Sequence, residues 1–351
     1  MSKHYAKFRL TALATGALLF ATGCAQADTK TLYIGMNGGN MQRVYTQYVF
    51  PPFEKANHVQ VVVVPGTSTD ILAKAMATKG HAQMHVMTLD DGVMYRAVAM
   101  GLCEPLKPSP ELSEIPAIAR IKNNEAVGLS MGLTGLSYST KIFAEKGWAP
   151  PTSWADLADP KYKGKVVVES MPSSSFGLDA FLMFNRIKGG TEQNVEPGFK
   201  AWPVDVGPNV AAYIPNSSKV IEMMQQGDAA IFPYTFTQTE LMKSKGLPIG
   251  FVAPKEGAVV LMTTMCVLAG NPDDELAQKL VAYLISPEAQ ALAMDNGSFN
   301  PVNPDTKLTG PAAEEQDRMK AVLDKAVVLD WDAINANHAN WDKRWNREIE
   351  N

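Results

Sequence analysis

From residue 31 onward, short apolar runs alternate with stretches whose apolar residues recur every three or four positions. Thr31-Leu-Tyr-Ile-Gly35 predicts a first strand, closed by the polar turn Asn37-Gly38-Gly39-Asn40. The next segment puts Val44, Tyr48 and Val49 on one helical face. It is expected to break at Pro51-Pro52, because proline has no N–H to continue a helix. Val59-Gln-Val-Val-Val-Val64 is too apolar for a half-exposed strand and predicts one buried in a parallel sheet. Pro65-Gly66-Thr67-Ser68-Thr69 opens a helix that groups Ile71, Leu72, Ala75 and Met76. A third strand over 83–89 ends at Asp90-Asp91-Gly92, ahead of a helix through Met100. This alternation of strand and helix predicts a doubly wound α/β lobe.

The pattern breaks at Gly132-Leu-Thr-Gly135, where a second α/β unit is expected to begin. It holds a strand over 165–169, the turn Pro172-Ser173-Ser174-Ser175, and a helix carrying Leu178, Phe181, Leu182 and Asn185. A strand over 229–232, a helix near 239–245 and a long extended stretch over 259–268 follow. Two further helices have clear start signals. In one, Asn271 caps, Pro272 follows, and Asp273 and Asp274 sit in the first turn ahead of the stripe Leu276, Leu280, Val281 and Leu284. In the other, Ser286 caps, Pro287 follows, and Asn296-Gly297 marks the stop. Ile334, His338, Trp341 and Trp345 fall at helical spacing and predict an amphipathic closing helix, with both tryptophans as packing residues.

At 351 residues, 46% hydrophobic and 19% charged, the chain carries enough apolar material for a core and enough length for two lobes. Residues 1–27 hold Lys3, Lys7 and Arg9 and no acid, a charge of +3 within a total of −4, so the remainder stands at −7. No basic patch offsets this, which removes the electrostatic case for a nucleic-acid partner. The basic start, the apolar run Leu10–Phe20 and the small residues after it read as a secretory signal peptide, too short to span a bilayer. Cleavage after Ala27 at Ala25-Gln26-Ala27 leaves a soluble periplasmic protein. Ala21-Thr22-Gly23-Cys24 also has the form of a lipoprotein box, with Cys24 as the anchor. Cys103 and Cys266 remain as either a disulfide or two buried thiols.

Several catalytic motifs are missing: there is no phosphate-binding Gly-x-x-x-x-Gly-Lys loop, no Gly-x-Gly-x-x-Gly and no Cys-x-x-Cys. His81 and His85, on a strand, stand about 13 Å apart and make no metal pair. No metal or other cofactor is called for, and no nucleophile–base pair suggests an enzyme. The 18 methionines read as core filling. Asp90-Asp91 reads equally as a helix cap and as carboxylates at the C-terminal end of a parallel strand, where open α/β sheets bind ligands.

Several segments together carry a resemblance. They are Leu89-Asp-Asp-Gly92, Pro151-Thr-Ser-Trp154-Ala-Asp156-Leu157 and Pro160-Lys-Tyr-Lys-Gly164-Lys165-Val166. Further along come Gly227-Asp228-Ala229-Ala230-Ile231, Pro254-Lys-Glu256-Gly257-Ala258 and Ser286-Pro287-Glu288-Ala289-Gln290. In this order the set resembles the extracellular solute-binding proteins of ABC importers, in the group of polyamine, iron, thiamine and aminophosphonate binders. The resemblance implies two doubly wound α/β lobes joined by a two-segment hinge, the periplasmic binding protein-like II fold. The lobes would be 28–135 with 251–310, and 136–250, followed by C-terminal helices over 311–351. It further implies a monomer that clamps a small-molecule solute by hinge closure and presents it to a membrane permease.

Cleft-facing groups are expected on turns after strands, where helix N-termini offer free N–H groups. Four turns qualify: Asn37 and Asn40; Thr67, Ser68 and Thr69; Asp90 and Asp91; and Ser173, Ser174 and Ser175. The hinge adds Ser137 and Tyr138, and the return path adds Tyr234 and Glu256. Hydroxyl-rich helix starts suit an acidic group, whereas Asp90, Asp91 and Glu256 suit an ammonium. A polyamine-like or zwitterionic amine is therefore favoured. Iron ranks lower because no Tyr-Tyr pair occurs, and thiamine needs stacking from Tyr45, Tyr138, Tyr213 or Tyr234. A protein feeding a sensor shares these features.

Overall fold

The computed structural model describes residues 30–350 apart from Asp324, so the signal-peptide and Cys24 expectations lie outside the described residues. The strands are β1 (Lys30–Met36), β2 (Val59–Pro65), β3 (Val86–Asp90), β4 (Cys103–Glu104), β5 (Arg120–Ile121) and β6 (Ala126–Ser139). They continue as β7 (Val166–Glu169), β8 (Val210–Ile214), β9 (Ile231–Thr235), β10 (Ile249–Val252) and β11 (Val259–Leu268). The helices are α1 (Asn40–Val44), α2 (Phe50–Asn57), α3 (Ser68–Ala77), α4 (Asp91–Ala99), α5 (Pro110–Glu114), α6 (Thr140–Lys146) and α7 (Ser175–Ile187). After them come α8 (Glu196–Ala201), α9 (Ser217–Gln226), α10 (Phe236–Ser244), α11 (Asp274–Leu284), α12 (Pro287–Gly297), α13 (Gly310–Leu323) and α14 (Trp331–Glu348).

One sheet runs through the molecule in the order β2-β1-β3-β11-β6-β9-β7-β8. Each end is a parallel trio, with β1 between β2 and β3, and β7 between β8 and β9. Antiparallel β11 and β6 join the trios. The result is two α/β lobes on a shared sheet. The first lobe's core collects Leu32, Ile34, Val86 and Leu129 with Leu280 and Leu284 of α11. The second collects Val166, Phe181, Trp202 and Ile231 with Trp341 and Trp345 of α14. The closing helix therefore completes the second lobe. Trp345 is fully buried against Phe181, Trp202 and Tyr213 at ring distances of 5.7, 5.5 and 5.5 Å.

Several expectations change. The Gly132–Gly135 break is the middle of β6, a 14-residue strand that runs unbroken from one lobe to the other. Its glycine answers to a close approach, since a Cβ on Gly135 would lie 2.6 Å from both the Phe251 ring and the Val252 carbonyl oxygen. Pro51-Pro52 does not end the first helix. The chain widens into one π turn over Tyr45–Val49, and the prolines become the opening residues of α2, where an N–H is not needed. Tyr48 consequently turns outward, 40% exposed, and Tyr45 takes the buried place. Val59–Val64 is the sheet's edge strand and not a central one, so Val62, Val63 and Val64 are only half-buried. Met76 likewise lies on the outer side of α3. The start of α11 moves by two residues: Asp273, not Asn271, accepts the cap bond from Leu276 N–H at 3.2 Å, and Asn271 instead takes the Asp273 N–H. Cys103 and Cys266 are joined as a disulfide between β4 and β11.

Candidate functional site

Thr67 is the N-cap of α3 and forms a reciprocal box with Asp70. Its hydroxyl accepts the Asp70 N–H at 3.2 Å, and the Asp70 carboxylate accepts the Thr67 N–H at 3.1 Å. Ser174 caps α7 by accepting the Phe176 N–H at 3.1 Å. Asp90 stands before α4 but makes no side-chain cap bond, which leaves its carboxylate for other work. The Ser68 hydroxyl accepts the Asp90 N–H at 3.0 Å and so ties the first turn of α3 to the end of β3. These three helix starts face one cavity of about 290 Å³ between the lobes, lined by Thr67–Thr69, Asp90 and Ser173–Ser175. Three of the four expected turns thus meet at a single cleft.

The other expected residues stand outside its lining. Asn40 is used locally, donating to the Gly297 carbonyl at 3.5 Å and accepting from Arg43, and Asn37 lies on the same turn. The Ser137 hydroxyl pairs with that of Thr239 at 2.6 Å in a buried site, because this stretch of β6 is covered by α10. Tyr138 packs on Phe143, and Tyr234 is 2% exposed between Phe176 and Phe232, where burial pushes its phenol up to about 12. Glu256 serves the backbone, accepting from Ser153 Oγ at 2.6 Å and Trp154 N–H at 3.2 Å. Asp91 is 2% exposed and faces inward, taking the Gly92 N–H at 3.0 Å and the Met262 N–H at 3.4 Å. None of Tyr45, Tyr138, Tyr213 and Tyr234 lines the cleft, so the stacking surface considered for a thiamine-like ring is not there.

The cleft has a third wall that sequence reasoning missed. Trp331, Asn335 and His338 of α14 line it, together with Arg96 of α4. The closing helix read as packing because its tryptophans dominate the pattern. The signal was its other stripe, Asn335, His338 and Asp342, three polar residues at three- and four-residue spacing on one face. Although α14 is rooted in the second lobe, it reaches across to the first. Asn335 donates to the Gly92 carbonyl at 3.0 Å, and Lys122 pairs with Asp332 at 2.7 Å. The Trp331 ring lies directly on Gly92, 2.5 Å from where a Cβ would sit. Gly92→Ala should therefore displace Trp331 and destabilise this arrangement by about 1–3 kcal/mol, the usual cost of overpacking. Urea unfolding of the two proteins checks this; equal midpoints would mean that the ring moves freely.

Burial shapes the electrostatics here. It pushes the Asp90 carboxyl above the usual carboxylate range, opposed by the Ser68 hydroxyl. It pushes Asp91 well above that range, reinforced by Asp90 and by Asp179 of α7. On α14, burial lowers His338 against the pull of Asp342, and Arg96 adds to the lowering.

With this geometry in view, comparison with known proteins is direct. Residues 49–321 match the family described as bacterial extracellular solute-binding protein. The chain belongs to this family. The spermidine/putrescine-binding periplasmic protein of Escherichia coli K12 is 22% identical over 313 residues, covering 85% of this chain and 86% of that protein. A gamma-aminobutyric acid-binding protein of Pseudomonas aeruginosa is 22% identical over 297 residues, covering 82% and 81%. The crystal structure of an ABC transporter from Clostridium perfringens ATCC 13124 matches with a TM-score of 0.80 at 22% identity, covering 91% of this chain and 99% of that one. The solute-binding protein thus has the two-lobe fold of periplasmic binding proteins, with its cleft where the three helix starts converge. Among the described residues, no helix is long and apolar enough to cross a membrane.

Proposed function

We propose that this solute-binding protein captures a small amine-bearing solute in the interlobe cleft and presents the closed form to the permease of an ABC importer. In this reading it is a monomeric periplasmic carrier without catalytic activity. Residues 30–135 and 251–310 form one closing body, and 136–250 with the last helix form the other. The supporting observation is Asp90, a carboxylate at the C-terminal end of a parallel strand that lines the cleft and makes no ion pair with the protein. A bound ammonium compensates its burial cost, and a ligand touching both lobes stabilises closure over opening. Asp90→Asn should weaken an amine-bearing solute at least tenfold while leaving the fold intact. Calorimetric titration gives the affinity, and the melting temperature of the free variant gives the fold. Unchanged affinity for every amine tested removes Asp90 from the site.

A further inference from the structure

Seven arginines lie among the described residues, and six of them have protein partners. Arg43 donates to Asn40 and to the Asn296 carbonyl, and Arg120 to the Ile115 and Ser113 carbonyls. Arg186, Arg318, Arg344 and Arg347 pair with Glu192, Glu240, Glu196 and Glu348. The Arg96 side chain has no hydrogen bond or ion pair among the described residues. It is half-buried, its Nε is shielded from solvent without an acceptor, and it lines the cleft. A guanidinium in such a place is costly unless an anion completes it. Asp342 feels the Arg96 charge but forms no ion pair with it, and lies 3.6 Å from His338.

We propose that Arg96 anchors an acidic group of the solute, so that the cleft is a two-pole site selecting a short zwitterion over a diamine. This rests on the cleft being the solute site and adds a second charge to it. Arg96 offers a planar fork matched to a carboxylate or phosphonate. The hydroxyls of Ser173, Ser174 and Ser175 at the start of α7 line the same cavity from the second lobe and offer further donors to the anion. Asp90 immediately precedes α4 and Arg96 lies six residues on, within that helix, so their Cα atoms differ by about 9 Å along its axis. Poles at that separation fit a compact amino acid with a short linker inside about 290 Å³. A diamine satisfies Asp90 but places its second ammonium beside Arg96, where like charges repel.

Three probes of similar length separate these cases: γ-aminobutyrate, putrescine and butyrate. Calorimetric titration of the wild type should show γ-aminobutyrate binding at least tenfold more tightly than either of the others. Arg96→Gln should cost γ-aminobutyrate at least tenfold and leave putrescine equal or improved, with Arg96→Lys recovering part of the loss. Asp90→Asn should weaken γ-aminobutyrate and putrescine alike. If Arg96→Gln weakens all probes equally, or none, Arg96 is not the anion pole. If Arg96→Gln acts as stated while Asp90→Asn does not, the amine assignment fails and the acidic pole stands. Preference of the wild type for putrescine, or binding of none of the three, overturns the two-pole site. The melting temperature of each free variant separates loss of binding from loss of fold.

Discussion

Asp179→Asn is expected to flatten the fall in stability that the wild type shows between about pH 5 and pH 8. Asp179 lies on α7, 1% exposed, with neither carboxylate oxygen hydrogen-bonded. Burial raises its pKa from 3.8 to about 7, with the Thr134 hydroxyl on β6 opposing. The folded protein therefore keeps a proton that the unfolded chain releases from about pH 4 upward. The stabilisation is complete below the unfolded value and is lost as pH rises through about 7. A separation of about three units corresponds to a loss on the order of 4 kcal/mol. Asp91 faces Asp179 from α4 and is shifted in the same direction, so a residual slope of the same sign remains in the variant. Urea midpoints at the two pH values measure the effect. The variant should fall less and should exceed the wild type at pH 8; parallel curves would falsify the assignment.

Reduction of the Cys103–Cys266 bridge, or its replacement by two alanines, should cost about 2–5 kcal/mol. The two cysteines are 163 residues apart in sequence, and the bond spans the whole second lobe. By loop entropy alone a closure of that size constrains the unfolded chain strongly, by roughly 5 kcal/mol. Cys266 is fully buried and Cys103 is 7% exposed in the first lobe, away from the cleft lining. Solute affinity at a temperature where the variant stays folded should consequently hold within about twofold. Calorimetric melting with and without reductant, with a thiol count on each sample, tests both statements. A fully reduced protein that melts with the oxidised one would show that the bridge adds nothing. The bond also requires an oxidising compartment, in agreement with the extracellular family to which the chain belongs.

The fold was legible wherever local pattern and tertiary structure ask the same thing of a residue. The turns before α3 and α7, the Ser286 cap of α12 and their apolar stripes placed these helices because such stabilisation is local. Val59–Val64 misled because five valines say strand and do not say where in the sheet. Gly132–Gly135 misled because glycine marks a close approach within a strand as readily as a turn. In the site, the three turns were legible from the strand–turn–helix rule. Arg96 and His338 were not, since their place in the cleft lining depends on α14 returning from the far end of the chain to lie against α4. Glu256 and Ser137 were overcalled for the converse reason. A polar residue near a hinge has backbone groups to satisfy, and both are consumed by them or by a neighbour.

The position of β11 sets an order of events for the growing polypeptide. This strand fills the gap between β3 and β6, yet it emerges only after every residue of the intervening lobe. Until residue 268 is available, β3 keeps an unpaired edge, and much of the apolar material of α11 and α12 that seals the first core is also missing. A chain released from its N-terminus thus reaches its first compact state late, through contacts of long sequence separation, which makes folding slow. For a polypeptide threaded through a narrow export channel, that delay is an advantage: the leading half cannot lock before the trailing half has passed.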